Sequence, residues 1–171
     1  MQRRNALKSI TTGFGAMIAL PAWANSWNEN SFHITNSVFT KMEENTLVEV
    51  VTTIIPEGKI PGAKSLGVPT YINKIVTDCY EPKAQADFKT GLENVEKIAQ
   101  SIHSKSFESC DSIQRMSVLK AMESSGDTAK KAFFNLIRNI TIQGYTTRET
   151  IMVDHLKYVM APGHYYGCVS V

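Results

Sequence analysis

Few side chains in this 171-residue chain could do covalent, metal or redox chemistry: it has three cysteines and four histidines. The histidines, His33, His103, His155 and His164, are dispersed. Only His155 and His164 are moderately close, across Pro162-Gly163, and a metal site built from them would need an acidic ligand from elsewhere. Asp154 adjoins His155, but consecutive residues of a helix face different sides, so they do not make a catalytic dyad. There is no His-Glu-x-x-His zinc motif and no Cys-x-x-Cys-His haem attachment site. No Gly-x-Gly-x-x-Gly follows a strand pattern, and Gly13-Phe14-Gly15 falls in the leader described below. No constellation of nucleophile, base and anion site is legible. The expectation is a chain with no catalytic, cofactor-binding or metal-binding residues of its own.

The cysteines are Cys79, Cys110 and Cys168. An odd number in an exported chain leaves one thiol to hide, to react or to pair with another chain. Cys79 shares an apolar helical stripe with Ile72, Ile75 and Val76 and is expected to be a small buried hydrophobe. Cys168 is three residues from the end, after a glycine, where it is free to reach a partner. Three outcomes stay open: a bridge from Cys168 to a partner chain, an intrachain bridge to Cys110 or Cys79, or a free thiol.

Residues 1–24 read as an export signal. Arg3, Arg4 and Lys8 are basic, and no acid precedes Glu29. A small, moderately apolar run from Ser9 to Leu20 follows, then Pro21-Ala22-Trp23-Ala24, where Ala22 and Ala24 satisfy the small-x-small rule for cleavage after Ala24. A run of about 12 residues is too short for a bilayer that needs about 20. Arg3-Arg4 with Leu7-Lys8 resembles the twin-arginine signal, which exports folded cargo. Gln2 and Ala6 depart from its usual pattern. Taking Arg3, Arg4 and Lys8 from the 18 basic residues leaves 15 against 16 acids, so the mature body lacks the basic patch of a nucleic-acid binder. The expected location is periplasmic, peripheral to the membrane.

The elements that would position any site are helical. Residues 25–39 read as an irregular polar arm, and 40–171 as a helical domain. Thr40 and Glu43 form a capping box before Leu47, Val50, Val51 and Ile54, and Pro56 stops that helix. Pro56 to Gly67 reads as a long structured loop, and Pro69 suits the first turn of a second helix. Pro82 opens a third, with Phe88, Leu92, Val95, Ala99 and Ile102 on one face. Asp111 and Gln114 cap a fourth, carrying Met116, Leu119 and Met122. Asp127 caps a fifth, with Ala129, Phe133, Leu136, Ile137 and Ile140 apolar, and Gly144 is expected at its C′ position. Thr146 and Glu149 predict a sixth helix to about Tyr158, with Ile151, Leu156 and Val159 inward. The fold class is all-α, an orthogonal bundle of about six helices with long ordered loops.

In order along the chain, the residues that carry a family signature are Ile54-Ile55-Pro56, Pro61-Gly62-Ala63-Lys64, Leu66-Gly67-Val68, Tyr71-Ile72 and Phe88-Lys89-Thr90-Gly91-Leu92. Thr141 to Thr147, Leu156-Lys157-Tyr158 and Pro162 to Cys168 complete it. Together with the leader, they resemble the gluconate 2-dehydrogenase subunit 3 family, the small subunit of a membrane-associated sugar or sugar-acid dehydrogenase. The resemblance spans about residues 40–169. It implies a large partner subunit of the glucose–methanol–choline class carrying FAD, often with a c-type cytochrome holding haem c. The small subunit would export, escort and stabilise the flavoprotein without catalysing anything alone. The alternative is a free-standing periplasmic binding protein or chaperone without a fixed enzyme partner. The resemblance leaves the sugar and the stoichiometry open. The long loop and the C-terminal tail are expected to dock the partner through Ile60, Leu66, Tyr165 and Tyr166, since irregular segments of this length in compact domains are usually functional.

Overall fold

The computed structural model describes residues 37–161 and 163, all within the second of the two units, Asn36–Val171, into which the chain divides. Every regular element among the described residues is helical: α1 Lys41–Ile54, α2 Val68–Cys79, α3 Pro82–His103, a 3-10 turn Phe107–Ser109, α4 Ser112–Glu123, α5 Thr128–Thr146 and a π-helical turn Ile151–His155. The all-α class expected from the sequence is the class observed.

Local hydrogen bonding explains most of the boundaries. The Thr40 hydroxyl accepts from Glu43 N–H while the Glu43 carboxylate accepts from Thr40 N–H, and Asp111 and Gln114 repeat this reciprocal arrangement at α4. Asp127 caps α5 by accepting from Ala129 N–H. Proline sits in the first turn of α2 and of α3, where no intrahelical donor is lost. The carbonyls that α2 leaves free at its C-terminus are met by one side chain: Gln85 Nε2 donates toward Val76, Thr77 and Tyr80 O at 3.0–3.1 Å.

Helices α1 and α5 each pack against the other four and form the centre of the bundle. The core runs through Leu47, Val50 and Val51 of α1, Ile72 and Val76 of α2, Phe88, Leu92 and Val95 of α3, Leu119 and Met122 of α4 and Ile137 of α5. Phe39, in the segment read as an arm, is buried and lies 5.5 Å from the Phe88 ring, which meets Phe133 edge-on at 5.2 Å. Buried Asn73 secures this entry: its Nδ2 donates to Ser37 Oγ and to a Glu44 carboxylate oxygen.

Two glycines inside helices sit where another element comes too close for a methyl group. A Cβ on Gly91 would lie 2.0 Å from the Phe133 ring, and one on Gly144 would lie 2.7 Å from the Tyr71 ring. The second corrects an expectation: α5 does not end at Gly144 but continues to Thr146, and the glycine admits Tyr71 rather than terminating the helix. Several apolar residues expected inside are exposed, namely Ile102, Met116 and Leu136, while Phe134 is buried in place of Leu136. Cys79 is exposed rather than buried, because α2 turns Ile72 and Val76 inward and its last turn ends at the rim. The predicted sixth helix is a single π-helical turn in which only Ile151 is buried. The cap expected from Thr146 and Glu149 does not form, since Thr146 is the last residue of α5 and its hydroxyl donates back to Ile142 O, and Leu156 and Val159 are exposed rather than inward.

Candidate docking surface

The loop from Pro56 to Gly67 is built around one carboxylate. Glu57 accepts from Gly62 N–H at 2.7 Å, from Ser65 N–H at 3.1 Å and from the Ser65 hydroxyl at 2.7 Å. Gly62 leaves room for this, since a Cβ there would be 2.7 Å from the Glu57 carboxyl carbon. Backbone bonds from Ala63 N–H to Ile55 O and from Val68 N–H to Ala63 O close the loop at its base. Ala63 is fully buried and Leu66 packs partly against the core.

The far end of α5 holds the other side of the loop. The Tyr145 hydroxyl donates to Pro61 O at 2.9 Å, and Arg148 Nη2 donates to Gly67 O at 3.0 Å with its guanidinium 5.5 Å from the Tyr71 ring. The result is a rigid loop that leaves Ile60 with 43% of its surface exposed. Of the residues expected to dock a partner, Ile60 therefore stands clear and Leu66 is half-buried beneath the loop. Tyr165 and Tyr166 lie outside the described residues, as do Cys168, His164 and the leader residues Arg3, Arg4, Leu7, Lys8, Ala22 and Ala24. Among the other cysteines, Cys79 and Cys110 are both free thiols, exposed and buried respectively. Sequence reasoning missed Glu57, Tyr145 and Arg148. Their partners are five to 84 positions away, and only the Glu57-to-Gly62 spacing offered a local clue.

Hydrogen bonds from Gly62 N–H first, then from the Ser65 hydroxyl and amide, with the nearby Lys64 charge, hold the Glu57 carboxyl below its ordinary value despite some opposing desolvation. A carboxyl lowered in the folded state stabilises that state fully above its unfolded value, and the contribution is lost as pH falls through the lowered one. The loop is thus expected to be most protected at neutral pH and to loosen in acid. Protection of the Gly62 and Ser65 amides, their exchange relative to an unstructured chain at the same pH, should fall on acidification in the wild-type protein. That protection should already be low at neutral pH in Glu57→Gln, with the helical cores unchanged. Equal protection in the variant would remove Glu57 from this role.

A groove of about 330 Å³ lies between α1 and α3, lined by Met42, Thr46 and Leu92 with Glu43, Glu93, Glu96 and Lys97 among the charged groups. Those charges are engaged elsewhere: Glu43 in the α1 cap, Glu96 accepting from Phe107 N–H, and Lys97 paired with Glu93. The charged groups that line the groove are thus already bonded within the domain. Among the described residues, no three His, Cys, Asp or Glu side chains are grouped as a metal site requires, and no helix is long and apolar enough to cross a membrane.

The region with the least internal purpose follows Arg148. Val153, Leu156, Tyr158, Val159 and Met160 all expose half or more of their surface. Soluble domains normally scatter such residues singly. The pinned loop and the exposed apolar segment thus leave the same end of α5.

No curated protein and no solved structure matches the chain. The profile of the family described as gluconate 2-dehydrogenase subunit 3 matches residues 41–163, which spans every helix described above together with the pinned loop and the apolar segment. The chain belongs to the gluconate 2-dehydrogenase subunit 3 family.

Proposed function

We propose that this chain is the non-catalytic small subunit that escorts, exports and stabilises a periplasmic FAD-dependent dehydrogenase of the glucose–methanol–choline class, acting on a sugar or sugar acid. The observation that carries the reading is the family match over residues 41–163, on a family named for a subunit of a dehydrogenase. The catalytic subunit holds the FAD; where a c-type cytochrome is a third subunit of the complex, its haem c takes the electrons. This chain contributes a leader for folded cargo and a surface that includes Ile60. Its pinned loop supports the reading, because a preorganised contact loses less conformational freedom on binding.

The test is affinity capture of the tagged mature chain from periplasm. A large polypeptide with a stoichiometric flavin spectrum should come with it, and sugar-oxidising activity should follow that polypeptide rather than the chain alone. Ile60→Ala should reduce capture without changing the helical circular dichroism. Lysine at both Arg3 and Arg4 should leave precursor and flavoprotein together in the cytoplasm. Normal export of that variant would remove the twin-arginine route. Capture of no stoichiometric partner would return the chain to the free-standing binding-protein reading.

A further inference from the structure

The segment from Val153 to Met160 is the least self-sufficient part of the described chain. Five of its eight residues are large and apolar, with exposures of 51% for Val153, 58% for Leu156, 52% for Tyr158, 62% for Val159 and 87% for Met160. It is nevertheless given a defined path. Ile151 is buried as an anchor, Leu156 N–H donates to Ile151 O, Tyr158 N–H donates to Met152 O, and Lys157 takes the left-handed conformation at φ 54°. Backbone bonds thus shape the segment, while its side chains add almost nothing to this domain's core. A non-glycine residue at positive φ is a local cost that some other contact must offset.

We infer that Val153–Met160 is the principal contact of this chain with the catalytic subunit of its dehydrogenase, its apolar side chains filling pockets on that subunit. The inference rests on the reading proposed above and adds the surface to it. Three observations select this occupant. The family match extends to residue 163, so the segment is part of what the family shares although it builds none of the core. Its charges, Asp154 and Lys157, are of opposite sign and there is no basic cluster, which disfavours an anionic membrane surface. It leaves the helix end to which the Ile60 loop is tied through Tyr145 and Arg148, so one partner can cover both. Apolar character of this density is that of a lasting subunit interface rather than of a transient one.

The test uses the complex isolated through a tag on the flavoprotein. Serine at both Leu156 and Val159 should weaken association by about tenfold or more, the effect of removing interface hot spots. The melting and circular dichroism of the isolated subunit should stay as in wild type. Hydrogen exchange needs no variant: amides of residues 153–160 should be slower in the wild-type complex than in the free subunit. Wild-type affinity in the double variant, or unchanged exchange in the complex, would overturn the inference and leave the subunit reading standing. Failure of the wild-type chain to associate with the flavoprotein would overturn both. Two further outcomes would assign the segment to another occupant: self-association abolished by the same variant in sedimentation, or flotation of the free subunit with vesicles containing anionic lipid.

Discussion

Arg115→Ala is expected to lower the stability of the domain by about 2–4 kcal/mol, somewhat below the value for breaking a fully buried ion pair. Arg115 joins three elements at once. Nη1 pairs with the Glu49 carboxylate of α1, Nε donates to Phe107 O at 3.2 Å, and Nη2 donates to Glu108 O at 2.7 Å. The guanidinium also lies 5.9 Å from the centroid of the fully buried Phe107 ring. Both charged side chains are largely shielded, at 18% and 16% exposure, and among the described residues the other cation paired with Glu49 is Lys64 at 3.7 Å. Alanine would leave Glu49 half-desolvated and Glu108 O without its side-chain donor, while Phe107 O would keep only the Cys110 N–H. Lysine should rescue little, because its ammonium cannot serve three acceptors in the planar fork that guanidinium provides. Thermal melting of Arg115→Ala, Glu49→Gln and the double variant measures the coupling. The double variant should lose clearly less than the sum of the singles. A loss under about 0.5 kcal/mol for Arg115→Ala would place the pair among ordinary surface bridges.

Gly91→Ala is expected to destabilise by about 1–3 kcal/mol, the usual cost of overpacking a core. The sign is the informative part. In an open helix the same change would stabilise by roughly 1 kcal/mol, since alanine is the better helix former. Here the new methyl would meet the Phe133 ring at 2.0 Å. That ring cannot retreat freely, because it is edge-on to Phe88, whose own ring lies tilted 5.5 Å from Phe39. The strain would therefore spread along the aromatic row that joins α5 to α3 and to the entry of α1. Combining Gly91→Ala with Phe133→Leu should recover part of the loss, because leucine leaves the volume the methyl needs. Denaturant unfolding of the two singles and the double checks this. A stabilised Gly91→Ala would mean that α3 and α5 separate at no cost.

What the sequence determined by itself is most of what depends on groups two to four residues apart, the Thr146–Glu149 cap excepted. The capping boxes at Thr40 and Asp111, the Asp127 cap and the prolines at 56, 69 and 82 set helix ends by local hydrogen bonds or missing donors, and all lie where the sequence places them. The loop from Pro56 to Gly67 was legible for the same reason, as was the exposure of Ile60 within it. Tertiary structure decided everything that depends on which neighbour arrives. Cys79, Ile102 and Leu136 fit an apolar stripe but meet no facing helix, so they stay at the surface. Gly144 resembles a helix stop in sequence, yet its lack of a side chain serves the approach of Tyr71. Glu49 and Arg115 are 66 positions apart, and Tyr145 and Pro61 are 84 apart, so no local pattern announces either contact. The end of the described chain differs most. Its apolar residues predict a sixth helix packed inward, but among the described residues only Ile151 meets the bundle and those after it stay exposed. Hydrophobic periodicity records that a residue gains by leaving water, not which surface will cover it.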